Sequence, residues 1–187
     1  MSTARKLQYS YAQYLRALVD SQMKLEFWHG EILAMAGGTP EHGILAVRVL
    51  TLLSAKLPRG CRATNSDVKV RIVEPDLGLF PDGAVVCGKL ERARDDKDSI
   101  TNPGLIVEVT SPSTEAYDRG TKLEQYKLIK SLQSVWLVSH ATKRVTVVER
   151  HGRGWRTSDR GAGEQLTLSA PALTLDVDEI YEALDGL

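Results

Sequence analysis

The chain has 187 residues, 42% of them hydrophobic and 26% charged, as in an ordinary soluble protein with one well-buried core. Its 24 basic and 24 acidic residues cancel, so the overall charge indicates neither a polybasic membrane binder nor a general affinity for nucleic acid. No stretch approaches the roughly 18 apolar residues of a spanning helix, and no signal-peptide-like apolar segment follows residues 1–6. We therefore expect one cytoplasmic domain over residues 1–187, without a membrane partner.

The pattern of apolar residues and turn signals predicts an alternation of helices and strands. Thr39 and Pro40 are typical of a helix start, and Pro58 of the region beyond its end. In chain order, the predicted elements are a helix at 10–20, hairpin strands at 25–28 and 31–35, a helix from 40 to about 57, strands at 67–73, 84–87 and 105–109, a helix from about 118 to 130, strands at 135–138 and 145–148, and a helix at 177–184.

Three strands carry predictions about burial. The strand at 67–73 alternates, which predicts a half-buried strand with Lys69 and Arg71 facing solvent. The strands at 84–87 and 105–109 are apolar on both faces, which predicts central positions in a sheet. The polar segment 89–102 is predicted to be an exposed loop.

The two cysteines, Cys61 and Cys87, have no CxxC spacing and no neighbouring cluster of Cys and His. This isolation argues against both a zinc site and a disulfide scaffold. We expect them to be small core or strand residues.

Two acids stand out because each lies at or within a short apolar strand. Asp82 precedes the strand at 84–87, and Glu108 lies inside the apolar run at 105–109. A carboxylate buried among such residues needs a cation, a metal ion or several hydrogen-bond donors. If the two strands are neighbours, about 5 Å apart, both carboxylates reach one cation. Two carboxylates and water suit Mg²⁺ or Mn²⁺.

Side chains on two helices are candidates to complete this site. Lys122 and Tyr126 are four residues apart on the apolar face of their helix, so we expect both to point at the sheet. There the lysine can pair with Glu108, orient a water molecule or stabilise charge on a phosphate. Glu41 heads the apolar face of the earlier helix, with His42 beside it, and either residue is a candidate for an outer ligand or a substrate contact.

The order of these residues resembles the Uma-two family of restriction-endonuclease-like proteins. The likeness spans about residues 10–184. The segments that carry it are Thr39–His42, Asp67–Val70, Pro81–Asp82, Val107–Thr114, Tyr117–Gly120 and Lys122–Tyr126. The resemblance implies an α/β (α+β) fold of the PD-(D/E)xK phosphodiesterase superfamily. That fold is a restriction-endonuclease-like core with a mixed central β-sheet flanked by helices, here with an N-terminal helix and β-hairpin.

The same resemblance implies roles for individual residues. Asp82 and Glu108 match the acid pair that binds Mg²⁺, or Mn²⁺ in its place. The usual lysine two residues after the second acid is absent, because Thr110 stands there. Some members of the superfamily carry this lysine on the following helix, and Lys122 is the matching position.

Each candidate also has a purely structural interpretation. Asp82 would then cap a strand after a turn, and Glu108 and Lys122 would form a buried ion pair. Glu41 would only complement the dipole of its helix, and Asp118 is best interpreted as a helix N-cap. The sequence does not separate an ion pair from an active site built with the same residues.

Two functions from different classes follow. The first is a Mg²⁺-dependent endonuclease that hydrolyses phosphodiester bonds of nucleic acid, taken to be DNA, and a homodimer suits cleavage of two strands. The second is a non-catalytic interaction protein that retains a nuclease-like fold. No recognition helix, basic stripe or stacking platform stands out, so the sequence distinguishes neither DNA from RNA nor one cleavage sequence from another.

Overall fold

The structure, a computed structural model, describes residues 7–35 and 37–186, so the N-terminal segment 1–6 lies outside the described residues. None of the described helices is long and apolar enough to cross a membrane. The helical elements are α1 (Tyr11–Asp20), α2 (Pro40–Lys56), α3 (Glu115–Tyr117), a π-helical turn (Asp118–Lys122), α4 (Leu123–Tyr126), α5 (Val177–Tyr181) and a 3₁₀ turn (Glu182–Leu184). The strands are β1 (Leu25–Trp28), β2 (Glu31–Ala34), β3 (Cys61–Asn65), β4 (Lys69–Ile72), β5 (Leu77–Leu79), β6 (Gly83–Cys87), β7 (Ser99–Ile100), β8 (Leu105–Val109), β9 (Ser134–Val138), β10 (Arg144–His151), β11 (Gly154–Gly161), β12 (Gln165–Ser169) and β13 (Ala172–Asp176).

The described strands form three sheets. The largest has six strands in the order β11-β10-β9-β8-β6-β3, in which β8 and β9 are parallel and the other neighbours antiparallel. A second sheet has the order β2-β1-β5-β4-β7, and β12 and β13 form a separate hairpin. The predicted N-terminal helix and hairpin are α1 and β1-β2. This mixed sheet with flanking helices confirms the predicted fold class.

Hydrophobic clusters cover both faces of the six-stranded sheet, because successive strand residues point to opposite sides. Val107 belongs to the cluster that contains α2 and α5, whereas Ile106 belongs to the cluster that contains α4. Both faces of β6 and β8 are therefore buried, which confirms their central placement. Glu108 shares the face of Ile106, and its side chain faces the π-helical turn and α4.

The helix predicted from about 118 to 130 is shorter and less regular. A π-helical turn covers Asp118–Lys122, and α4 ends at Tyr126. Asp118 is buried and lies within this turn, so its prediction as a helix N-cap is wrong. The π-helical turn places Asp118 and Lys122 on the buried side of the helix. A residue that acts only as an N-cap would not need to be buried there.

Cys61 and Cys87 form a disulfide, which overturns the expectation of two isolated cysteines. They lie directly opposite each other in the antiparallel pair of β3 and β6. The sequence of β3 is too polar to predict a strand there. The sequence therefore does not predict the pairing of β3 with β6 that brings the two cysteines together.

Lys69 and Arg71 are also placed differently from the prediction, since they are only 3% and 4% exposed. Lys69 Nζ lies 2.7 Å from Asp96 Oδ2, and the Tyr11 hydroxyl donates a hydrogen bond to the same oxygen over 2.7 Å. The segment 89–102, predicted to be exposed, folds over β4 and supplies this buried carboxylate. The segment 89–102 therefore covers the side chains of Lys69 and Arg71.

Asp96→Asn is expected to lower the free energy of unfolding by about 3 kcal/mol, because it leaves the Lys69 charge buried without its partner. Burial raises the pKa of Asp96, but the contacts with Lys69 and Tyr11 outweigh this effect and hold the pKa below its ordinary value. The stabilisation is therefore complete above about pH 4 and decreases as the pH drops below that value. Urea unfolding at several pH values measures both effects.

Asp185→Asn is the matched control, because Asp185 forms an exposed ion pair with Lys143. Exposed pairs contribute about 0 to 1 kcal/mol. If both variants lost the same free energy of unfolding, the role assigned to the buried Lys69–Asp96 pair would be contradicted.

Candidate active site

The two predicted acids meet at one end of the pair formed by β6 and β8. Gly83 pairs with Val107, so Asp82 and Glu108 are the next residues outward on adjacent strands. Asp82 Oδ2 accepts a hydrogen bond from the Val109 backbone N–H over 2.7 Å, which fixes its carboxylate against β8. Both acids line a cavity of about 460 Å³. The structure thus brings Asp82 and Glu108 to one site.

Lys122 reaches this site from the π-helical turn and is surrounded by acids. Its Nζ lies 2.9 Å from Glu108 Oε1, 3.4 Å from Glu26 Oε1 and 4.0 Å from Asp118 Oδ1. The Tyr126 hydroxyl donates a hydrogen bond of 2.6 Å to Glu108 Oε1. We call Glu26, Glu108, Asp118 and Lys122 the acid–lysine cluster. All four side chains are buried.

The charges of the acid–lysine cluster do not balance, since one ammonium faces three carboxylates. Burial raises the pKa of Glu108 to about 8, with contributions from Asp82 and Asp118, although Lys122 and Tyr126 oppose the change. Burial alone would lower the pKa of Lys122, but the surrounding carboxylates raise it above its ordinary value. The lysine is therefore held as a cation, whereas Glu108 releases its proton only near pH 8.

His42 and Glu41, adjacent on α2, have different environments. His42 lines the cavity with Nε2 3.2 Å from Asp82 Oδ2, and this hydrogen bond raises the pKa of His42 although burial opposes it. Glu41 is exposed and is not among the cavity residues. Its own backbone N–H and the Thr39 side chain lower its pKa. Glu41 thus has the environment of a first-turn glutamate, and His42 that of a site residue.

Sequence reasoning missed two members of the acid–lysine cluster. Glu26 lies inside the short apolar strand Leu25–Trp28, which is the same signal that identified Glu108. The signal was present, but the sequence does not show that this hairpin packs against the site. Asp118 gave no such signal, because an acid at a predicted helix start is explained by capping alone.

The residues fit a hard divalent cation. Among residues 7–35 and 37–186, no group of three or more His, Cys, Asp or Glu side chains forms a complete metal site. Mg²⁺ does not need one, because it commonly binds one or two carboxylates and keeps several water molecules. No described residue donates a hydrogen bond to Asp82 Oδ1 or Glu108 Oε2, so each acid retains one oxygen for a ligand. A cation there would also stabilise the ionised form of Glu108, which burial disfavours.

A family model named Uma2 and described as "Putative restriction endonuclease" matches residues 11–178. The chain belongs to the Uma2 family. This result confirms the resemblance inferred from the sequence. The matched region contains the cavity acids and the whole acid–lysine cluster.

Two relatives of this Uma2 chain occur in Synechocystis sp., and both are named as uncharacterized proteins. One is 37% identical over 174 residues, which cover 92% of this chain and 90% of the relative. The other is 30% identical over 146 residues, which cover 77% and 82%. They support membership of the family without adding an activity.

A crystal structure from Anabaena variabilis, titled a "putative nuclease belonging to DUF820", has a TM-score of 0.72 to this chain. The match covers 91% of this chain and 98% of that one at 17% identity. At this identity the comparison shows a shared fold. The fold and the family agree with the restriction-endonuclease-like class expected from the sequence.

Without metal, the free energy of unfolding is expected to decrease as the pH rises from about 4.5 to 8, because the pKa of Glu108 is about 8 in the folded chain against an ordinary value of 4.5. The folded state retains the proton that the unfolded chain has already lost, so the stabilisation is complete below pH 4.5 and is lost as the pH reaches 8. Glu108→Gln should flatten this dependence. Urea unfolding with a chelator present measures it.

Glu182→Gln is the control for this comparison, because Glu182 lies in an exposed ion pair with Arg48. Its pH dependence should match that of the unmodified protein. The same slope in the Glu108→Gln variant would contradict the pKa assigned to Glu108.

Proposed function

We propose that this protein is a divalent-metal-dependent endonuclease that hydrolyses phosphodiester bonds of DNA. The observation that carries the proposal is the meeting of Asp82, Glu108 and Lys122 at one cavity, where three acidic side chains surround the single lysine of the cluster. Membership of the Uma2 family supports the coarser class, a hydrolase acting on nucleic acid.

In this proposal Asp82 and Glu108 hold Mg²⁺ or Mn²⁺. The bound ion would activate a water molecule and stabilise negative charge on the phosphate. The Val109 N–H and His42 hold the Asp82 carboxylate in place, and Tyr126 orients Glu108. The acids are thus fixed by contacts that leave one oxygen of each without a protein donor.

Lys122 supplies the positive charge that the reaction requires. It retains its proton because the neighbouring carboxylates raise its pKa, so its ammonium can stabilise developing charge on a phosphate or orient the attacking water. Thr110, where the resemblance places the usual lysine, is fully buried, and its hydroxyl has no hydrogen-bond partner among the described residues. The geometry therefore favours Lys122 for this role.

The part of the cavity lining at the start of α2 suits a phosphate group. Helix α2 begins there, and Gly38, Thr39 and His42 line the cavity at its first turn. Helix N-termini carry partial positive charge and unpaired N–H groups that favour anions. A phosphate in the cavity would then be close to this helix start.

Asp82→Asn and Glu108→Gln should each reduce Mg²⁺-dependent cleavage of plasmid DNA by about 100-fold or more, because each removes a ligand charge at the reacting centre. Nicking followed on a gel, with and without a chelator, gives the rate. Asp185→Asn, an exposed change outside the cavity lining, serves as the control. Unchanged metal-dependent cleavage in both active-site variants would refute the proposed site.

A second function, a non-catalytic interaction protein, is favoured by one observation. Lys122 is only 4% exposed and already has carboxylate partners, as a purely structural ion pair would. In that case Glu108 and Lys122 would only balance charge. Metal binding then distinguishes the two functions.

Mg²⁺ at about tenfold above its Kd should stabilise the endonuclease by about 1.4 kcal/mol, because only the folded chain presents both acids. For a protein of this size the melting temperature would rise by about 3 °C. Thermal unfolding with Mg²⁺ or Mn²⁺ measures the shift, and Asp82→Asn should abolish it. An equal shift in the variant, or none in the unmodified protein, would favour the non-catalytic function.

A further inference from the structure

Glu26 is a buried acid that the proposed reaction does not use. It lies on β1 and is 5% exposed. Its Oε1 atom lies 3.4 Å from Lys122 Nζ and accepts a hydrogen bond from the Phe80 backbone N–H over 2.9 Å. Glu26 is not among the residues that line the cavity, whereas Glu108 and Asp118 are. It therefore meets Lys122 outside the cavity lining.

One oxygen of Glu26 contacts both Lys122 and the segment that leads to Asp82. Strand β1 pairs with β5, and β5 is followed by Phe80, Pro81 and Asp82. The Phe80 N–H is thus bound two residues before the first cavity acid, while the same oxygen faces the ammonium of Lys122. This carboxylate therefore contacts both the π-helical turn and the segment that leads to Asp82.

We propose that Glu26 is a positioning residue that holds the Lys122 ammonium in place when Glu108 binds the cation. In the structure Glu108 is the nearest carboxylate partner of Lys122, at 2.9 Å. Once the Glu108 charge is shared with a cation, its attraction for the ammonium is weakened, and the cation itself repels Lys122. This inference rests on the proposed endonuclease function.

Of the two remaining acids, Glu26 is the better anchor for Lys122. Asp118 Oδ1 is farther away, at 4.0 Å, and lines the cavity, where substrate and ions compete for it. Glu26 is closer, is buried, and is itself held by the Phe80 N–H. Lys122 would therefore remain against Glu26 throughout the reaction.

Glu26→Gln separates this role from a structural one. Glutamine has the same length and keeps an acceptor oxygen for the Phe80 N–H, but removes one of the three carboxylates around a single ammonium. Because like charges are then fewer, the metal-free variant should be as stable as the unmodified protein or more stable. A residue needed only for folding would instead lower stability and activity together.

In steady-state cleavage assays, Glu26→Gln should lower kcat by about 10- to 100-fold, as expected for a misplaced catalytic group, with KM for DNA changed by less than about threefold. Glu26→Asp, which retains the charge on a shorter side chain, should recover part of kcat. The buried variant Asp96→Asn is the contrast, since it should reduce stability and leave kcat of the folded fraction unchanged. An unchanged kcat, or a joint loss of kcat and melting temperature in Glu26→Gln, would overturn the inference.

A metal-independent measurement tests the same contact. Glu108→Gln removes the nearest charge without any ion, so Glu26 should still protect Lys122 from an amine-reactive ester. The double variant Glu26→Gln/Glu108→Gln should label Lys122 about tenfold faster than Glu108→Gln alone, because the ammonium is released to open conformations. Mass spectrometry of the labelled peptide gives both rates.

The two measurements separate the two proposals. If the unmodified protein neither binds Mg²⁺ nor cleaves DNA, the proposed function fails, and the labelling rates alone decide whether Glu26 holds Lys122. Equal labelling in the single and double variants would overturn the positioning role. If the double variant fails to fold, the kcat and melting temperature of Glu26→Gln decide whether Glu26 has the positioning role.

Discussion

The burial of one ammonium among three carboxylates is the constraint around which the site is organised. An isolated charge in this interior would be strongly unfavourable, so Lys122 is tolerated only because Glu108, Glu26 and Asp118 surround it. The burial of the acids depends in turn on Lys122, but three acids share this single lysine. The resulting negative surplus makes the cavity receptive to a cation or a proton, and Asp82 adds to it from the neighbouring strand.

The five-stranded sheet contributes directly to the acid–lysine cluster. Its strand β1 delivers Glu26 behind Lys122, and β5 leads into the segment that ends at Asp82. Around this connection lie further buried charges, notably Lys69 with Asp96, and the aromatic ring of Tyr11. The predicted N-terminal hairpin is thus part of the structural support of the site.

The sequence predicted the centre of the fold and the two cavity acids because a lone carboxylate in an apolar strand is a strong signal. The same signal existed at Glu26, but its relation to Lys122 depends on how two sheets pack, which periodicity does not encode. The burial of Lys69 was missed because alternation predicts which side chains share a face, whereas a later segment covers that face. The disulfide was missed because β3 is too polar to be recognised as a strand.

The acid–lysine cluster draws its members from residues 26, 108, 118 and 122, and Asp82 joins them from a separate strand. No contiguous fragment shorter than residues 26–122 contains all five side chains. The site is therefore a product of long-range folding, because it comes into existence only when distant parts of the chain have docked. Loss of that docking would abolish the ligand geometry even if each strand and helix remained locally formed.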